Sequence, residues 1–409
     1  MSEFNRINLN EDTITKSELP SNYKNILSAS QYYKNEGVMD SGKEGRKASN
    51  IYFLRTFNNF IKATMIQATV RKLELREFSV FDLCCGKGGD LDKFFQNNAK
   101  LFVGADMSRE FLYYAKERII KIKNERYKDH KNNYYNNSSN FNAPNTYIKG
   151  CKCYLYEENV SDPHNHLLDK IPKYIEFDIV SCQMALHYHF SSETNLRSFL
   201  KNAVEKLSIG GMLICSTIDD NVMIKRLRDP NRLKNKDINS RNNNLCFGND
   251  FYSVKFESNH FDIGNPYSIK YGFYLEDSID ARGLDGQINY VEEYLIMFDH
   301  FVKICEEYDL YLDEKSNFID YYNKMRKNFY YDKLFKRFVK GMNIENYDKQ
   351  WEIIQLYQVV TFRKGKEFKY IDNNKNDKKH NHKYKTVLNK FKDKIEDPDE
   401  IILKTSEFM

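Results

Sequence analysis

The chain lacks any apolar run near the length of a membrane span, which argues against a membrane-spanning helix. The first residues are polar, so we expect no secretory signal peptide and no membrane partner. Charge of one sign is also missing: 63 basic and 58 acidic residues leave a net charge of +5, too mild to demand a nucleic-acid partner. Eight cysteines occur without the spacing of a disulfide framework or a zinc site. Cys84-Cys85 and Cys151-x-Cys153 are too close together for paired zinc knuckles, and we read them as reduced thiols of an intracellular protein. No internal repeat is visible, which excludes a solenoid. Neither a Ser/His/Asp nor a Cys/His constellation stands at recognisable spacing, and metal ligands do not cluster along the chain, so we expect no metal. What is present is a length of 409 residues and 41% hydrophobic content, enough for one large domain with insertions or for two.

The chain is organised around Phe81-Asp82-Leu83-Cys84-Cys85-Gly86-Lys87-Gly88-Gly89-Asp90-Leu91. The apolar run Phe78–Phe81 precedes it and a helical pattern, Leu91–Phe95, follows. Strand, tight Gly-rich turn and helix together mark the carboxyl end of the first strand of an open α/β sheet, where ligands of that class bind. Gly86, Gly88 and Gly89 are expected to turn with positive φ and to let a ligand approach the backbone. No Gly-Lys-Ser/Thr follows, so this is not a P-loop, and Cys84 stands where a dinucleotide fingerprint has its first glycine. Leu101–Asp106 reads as the next strand, with Asp106 where a carboxylate accepts hydrogen bonds from ribose. The bland alternative is a nucleotide-free α/β domain with Asp106 as a helix cap.

Residues 1–30 are Asn/Ser-rich and expected to be loose, and 31–46 are charged. Ile51–Leu75 carries apolar residues at helical spacing, so a helix precedes the first strand and its far end covers the ligand from outside the sheet. Phe111–Ile122 reads as a helix, 124–146 as an insertion loop, Cys151–Tyr156 and Phe177–Cys182 as strands. Phe199–Leu207 reads as a helix closed by Gly210-Gly211, and Met212–Ser216 as a strand. Residues 229–245 form a second Asn/Lys/Arg-rich insertion. Phe251–Phe256 and Tyr271–Leu275 alternate like antiparallel strands. Val291–Tyr308 is expected to be helical and Gln355–Phe362 to be a strand. Residues 370–385 are a Lys/Asn/His tract, with His380 and His382 read as chance composition, followed by a short helical tail. The β-α alternation predicts a mostly parallel sheet with helices on both faces.

Several blocks resemble the eukaryotic mRNA cap guanine-N7 methyltransferase family: Tyr52–Lys62, the Asp82–Leu91 turn, Asp178–Tyr188 with its Ser-Cys-Gln-x-x-x-His-Tyr pattern, Phe247–Phe256, Glu292-Glu293-Tyr294-Leu295 and Trp351–Tyr357. They follow the family's order over about residues 29–364. The resemblance implies an α/β, Rossmann-like class I methyltransferase: a mostly parallel seven-stranded sheet with helices on both faces and antiparallel additions. It implies a domain over 31–364, with 365–409 as a polar tail. It implies S-adenosyl-L-methionine as co-substrate, capped RNA with a GpppN end as partner, the capping enzyme or transcription machinery as further partners, and a nuclear location. Lys62, Asp82, Gly86, Asp106 and Gln183 match the cofactor positions. The acid near the adenine falls at Glu158, with Glu157 or Asn159 as alternatives. Asn58, Asn59, His187, Tyr188, Glu293 and Tyr357 match cap positions, and Arg55 and Lys87 would meet the cap phosphates. Cys84 replaces a usual Gly, tolerable if its φ is negative, and Met184 replaces a usual Phe.

The implied chemistry suits these residues. Guanine N7 carries a free lone pair and no proton, so in-line methyl transfer needs no general base, and His187, Tyr188 and Glu293 would act by positioning. A carboxylate accepts both donors of the guanine Watson–Crick edge, which fits Glu293; taken singly, Glu293 would only open a helix and favour its dipole. Taken singly, His187 would be a structural histidine, Tyr357 a core tyrosine, Lys62 a solvated lysine and Arg55 half of a surface ion pair. Asn58-Asn59 is odd inside an apolar helix, because Asn is a poor helix former. Two other readings stand beside this one: a class I methyltransferase for another RNA or a small molecule, and a non-catalytic cap- or RNA-binding module that kept the fold.

Overall fold

The computed structural model describes residues 49–136, 150–229, 245–258, 261, 265–277, 288, 290–365 and 401–404. The segments 1–30 and 31–46, nearly all of the 229–245 insertion and the 370–385 tract with His380 and His382 lie outside the described residues.

The main sheet has eight strands: β1 (Phe78–Leu83), β2 (Ala99–Asp106), β3 (Lys152–Glu157), β4 (Phe177–Gln183), β5 (Leu207–Ile218), β10 (Leu310–Asn317), β11 (Tyr357–Lys364) and β12 (Ile401–Lys404), in the spatial order β10-β11-β5-β4-β1-β2-β3-β12. Pairing is parallel from β5 through to β12, while β11 runs antiparallel to both β5 and β10. All six residues of β1 are buried, as befits a central strand covered on both faces. The chain order reverses at β1, which lies between β4 and β2, and this opens the ligand crevice of an open α/β sheet at the carboxyl ends. A second, antiparallel sheet comprises β6 (Cys246–Asn249), β7 (Tyr252–Phe256), β8 (Lys270–Leu275) and β9 (Val291–Tyr294). The expected seven strands and antiparallel additions are therefore all present. Among the described residues, no helix is long and apolar enough to cross a membrane.

The leading helix, α1 (Tyr52–Lys72), buries Phe53, Leu54, Phe57, Phe60, Ile61 and Met65. Its aromatic stripe packs on later helices: Phe53 stacks on Tyr347 at 4.7 Å, Phe57 meets Trp351 at 5.1 Å, and Phe60 meets Phe335 at 5.0 Å. Ile51 gives no side-chain cap. Gln350 replaces it, accepting from Leu54 N at 2.8 Å and donating to Asn50 O at 2.8 Å, so one orphan N–H of the first turn is satisfied from far along the chain. Asn50 N also donates to Asp277, just beyond β8. Helix α1 is thus fixed to both sheets' surroundings before it presents its polar face.

Helices α2 (Leu91–Gln96), α3 (Arg109–Asn136), α4 (Glu193–Glu205), α5 (Asp220–Arg228), α6 (Phe298–Glu307), α7 (Phe318–Arg326), α8 (Phe329–Phe338) and α9 (Asp348–Ile354) follow. Four expectations are corrected. Val291–Tyr308 is not one helix: Val291–Tyr294 is strand β9, paired with β8, and the helix begins at Phe298. Gly210-Gly211 lies inside β5 rather than closing a helix, and a Cβ on Gly211 would meet Asp178 O and Ser208 O at 2.9 Å. The first insertion, expected as a loop over 124–146, continues α3 as far as Asn136. Within the expected polar, helical tail, Ile401–Lys404 is a strand that pairs with β3.

Candidate active site

The turn after β1 supplies the first half of the site. Gly86 has φ +51°, and a Cβ there would meet nothing within 4 Å, so open space borders the backbone. Its N–H donates to Asp106 Oδ2 at 2.8 Å, and Ser108 N donates to Asp106 Oδ1 at 2.9 Å. Burial pushes the Asp106 carboxyl up to about 6, against those two backbone bonds. Gly88, at φ +69°, packs so closely that a Cβ would lie 2.3 Å from the Leu91 side chain. Gly89 does not adopt the positive φ expected of it. Cys84 does, at +59°, so the condition set for tolerating it fails; a non-glycine residue in that region costs about 1–2 kcal/mol.

Asp90 directly precedes α2 without a side-chain cap bond and carries two ion pairs, to Lys62 Nζ at 2.8 Å and to Lys93 Nζ at 2.7 Å. Burial opposes its ionisation, but the two ammonium groups win and hold its carboxyl well below the usual range. Asp82, in β1, has no such partner. Burial first, then repulsion from Asp90, push its carboxyl up to about 8. The ammonium groups thus favour the ionised form of Asp90, whereas burial favours the neutral form of Asp82. Lys62 was expected at a cofactor carboxylate; here its ammonium already meets Asp90, a residue of the quoted motif to which sequence reasoning gave no role.

At the ends of β3 and β4 the candidates are partnered by protein. Glu157 pairs with Arg109 at 2.8 Å, and Asn159 Oδ1 accepts from Ser161 N at 3.0 Å. The Glu158 side chain meets Lys170, and its N–H donates to Asp106 O at 3.0 Å. The Gln183 side chain bonds within the sheet: Oε1 accepts from Ser216 Oγ at 2.8 Å, and Nε2 donates to Ser181 Oγ at 3.1 Å and Ile214 O at 3.2 Å.

The second half follows directly. A 3₁₀ turn, Leu186–Ser191, carries His187, Tyr188 and His189. The rings of His187 and Tyr188 lie 4.2 Å apart, and His187 Nε2 is 3.5 Å from Glu293 Oε1. Both His187 ring nitrogens are buried and have no hydrogen-bond partner among the described residues. Tyr271 donates to Glu293 Oε2 at 2.6 Å. Burial first, then the Glu293 charge, push the Tyr271 hydroxyl far up, and Tyr357 and Tyr188 stand close enough to add to the effect. Glu293 sits on strand β9, so the reading of it as a helix-opening acid falls. Tyr271 is a site residue that sequence reasoning missed; it lay in an anticipated strand, but only the pairing Tyr271↔Glu293 reveals its role.

On α1, Arg55, Asn58 and Lys62 share a face at helical spacing, with Asn59 beside them. Asn58 Oδ1 is buried without a hydrogen-bond partner among the described residues. Arg55 donates to the Asp277 carbonyl. Lys87 lies over the rings of Phe111 and Tyr114, at 5.1 and 5.2 Å. Orphaned polar atoms on Asn58 and His187, with open space at Gly86 beside the half-buried Asp106 carboxylate, are what a site built for a polar, nucleoside-like ligand leaves.

Residues 16–365 match the family model described as the mRNA (guanine-N(7))-methyltransferase domain. The chain belongs to the mRNA (guanine-N7)-methyltransferase family. The mRNA cap guanine-N(7) methyltransferase of Lodderomyces elongisporus is 30% identical over 333 residues, covering 78% of this chain and 54% of that protein. The mRNA cap guanine-N(7) methyltransferase 1 of Oryza sativa subsp. japonica is 30% identical over 331 residues, covering 78% of this chain and 77% of that protein. The chain thus spans about half the length of the Lodderomyces relative and about three quarters of the rice one. An S-adenosylmethionine-dependent methyltransferase of known structure from Clostridium acetobutylicum shows a distant likeness, with a TM-score of 0.40 at 14% identity over 75% of this chain and 91% of that one. The family match contains all the blocks from Tyr52 to Tyr357 that carried the resemblance.

Proposed function

We propose that this chain transfers the methyl group of S-adenosyl-L-methionine to N7 of the terminal guanosine of GpppN-capped RNA. The observation that carries the reading is the Tyr271–Glu293–His187 arrangement beside the strand ends, within a chain of this family. The Tyr271 hydroxyl fixes one oxygen of the Glu293 carboxylate and leaves the other facing His187, an orientation suited to the ring N–H and exocyclic amine of guanine. His187 and Tyr188 offer faces on which an unpaired base stacks. Tyr357 closes the same region. Asn58, with its unsatisfied Oδ1, and Asn59 extend the cap surface from α1, and Arg55 and Lys87 lie where cations meet phosphates.

The co-substrate would be held at the other half. Asp106 accepts from ribose hydroxyls, the space at Gly86 admits the nucleoside, and Lys62, beside Asp82 and Asp90, faces the methionine end. Glu158, or in its place Glu157 or Asn159, would meet the adenine edge. Bound S-adenosylmethionine supplies an electrophilic methyl on sulfonium. The residues supply position rather than acid or base, because N7 needs no deprotonation; such positioning contributes on the order of 7–11 kcal/mol. Nuclear residence and encounters with the capping enzyme or the transcription machinery follow from capping as a step in mRNA processing.

The test is transfer of labelled methyl to RNA ending in GpppA, beside the same RNA with a triphosphate end. Label on capped RNA alone, released as 7-methyl-GpppA by nuclease, is the expected result. Label on both RNAs means an internal acceptor and overturns the cap assignment. Cofactor binding with no label on either points to another acceptor, and absence of cofactor binding to a non-catalytic module.

A further inference from the structure

Three side chains that take no part in either ligand group converge beneath the Gly-rich turn. Cys84 follows β1, Cys182 lies in β4 one residue before Gln183, and His189 lies in the 3₁₀ turn. Both sulfurs and an imidazole nitrogen lie within 4.8 Å of one another, with Cys84 Sγ 3.8 Å from His189 Nε2. In tetrahedral zinc sites, with Zn–S about 2.3 Å and Zn–N about 2.0–2.1 Å, ligand atoms stand roughly 3.5–3.8 Å apart. The Cys84–His189 distance already equals that spacing, and the remaining ligand atoms lie within 4.8 Å, so a small closure completes the set.

The histidine is also oriented for the task. Its Nδ1 lies 2.5 Å from Ser161 Oγ, and its ring stacks on Phe199 at 4.0 Å with an interplanar angle of 13°. With the ring proton on Nδ1, that contact to an outer oxygen fixes the imidazole with Nε2 free, as in metal-binding histidines. Here Nε2 points at the thiols. The charge balance suits burial too, since two thiolates and a neutral imidazole cancel a divalent cation. Cys84 is held at φ +59°, a conformation that persists only when its surroundings impose it.

We propose that Cys84, Cys182 and His189 form a binding site for a thiophilic divalent ion of the zinc class, stapling the cofactor turn to the segment that carries His187 and Tyr188. The ion replaces two thiol protons, which pass to solvent; no electrons move. Three protein ligands leave the fourth position of the tetrahedron to water, whereas structural zinc sites usually close it with a fourth protein ligand. The ion would hold the turn and the segment together and take no part in the methyl-transfer step.

Full-length protein purified without chelator is assayed for zinc by emission spectrometry. Metal-depleted protein is titrated with Co²⁺ while thiolate-to-cobalt charge-transfer absorption and proton release are recorded. The expected result is one ion per chain, a sulfur charge-transfer band and two protons released per ion. Ser161→Ala weakens binding about 10-fold or more. Cys84→Gly, which suits the left-handed backbone and so keeps the fold, abolishes the band. No band in the native chain, or an undiminished band in Cys84→Gly, overturns the proposal. So does a Cys84–Cys182 disulfide found by mass spectrometry in place of metal uptake.

Discussion

Glu293 holds two oxygens in different circumstances: one accepts from Tyr271, the other faces His187 at 3.5 Å. Removing the carboxylate should therefore damage cap recognition and leave the cofactor alone. For Glu293→Ala we expect unchanged S-adenosylmethionine affinity by calorimetry and at least a 10-fold loss in kcat/KM on capped RNA, equivalent to about 1.4 kcal/mol. Equal loss of both would mean a folding defect. Asp106 gives the reverse pattern. Asp106→Ala should weaken cofactor binding by roughly 1.5–3 kcal/mol, the worth of a hydrogen bond to a charged group, as read by the same calorimetry. At this scale the sequence was informative where a motif was compact. The Gly-rich turn and the strand ending at Asp106 were legible because strand, turn and acid are local signals. The positive φ of Cys84 was not, since it depends on what packs around the turn. Nor were the partners of Gln183, which come from a neighbouring strand.

Elements were legible to the extent that their own residues decide them. The apolar period of α1 predicted its span to within a few residues, because its buried face is continuous. Val291–Tyr308 failed for the opposite reason. Its first four residues include two glutamates, good helix formers, yet they form a strand because β8 offers a paired edge, Gly272↔Glu292 and Tyr271↔Glu293. The start of α1 is equally non-local, since its cap is Gln350. Gln350→Ala should leave Leu54 N–H and Asn50 C=O without that partner and cost about 1–3 kcal/mol in denaturant unfolding. Fraying the turn that precedes Asn58 should also raise KM for capped RNA more than it lowers kcat.

For the whole molecule, buried acids set the response to pH. The Asp82 carboxyl titrates near 8 when folded, and Asp106 near 6, against about 3.9 in an unfolded chain. Folded protein therefore keeps protons that unfolded protein has released. Their contribution is fully present below about pH 4 and is lost as pH rises through 6 and then 8, with a slope of at most about 1.4 kcal/mol per pH unit for each proton. Ligand-free protein should melt at a lower temperature at pH 8.5 than at pH 6. Asp82→Asn, which mimics the neutral acid, should flatten that slope; an unchanged slope would mean that Asp82 is ionised in the fold. The long reach of Gln350 also bears on how the chain is born. Leu54 leaves the ribosome 296 residues before its hydrogen-bond partner. At about 5–20 residues per second, that is a wait of roughly 15–60 s. The helix bearing Arg55, Asn58 and Lys62 is thus made well before the residue that caps it, so a nascent chain arrested before residue 350 should remain open to protease in that helix, and methyl transfer should begin only after Gln350 has emerged.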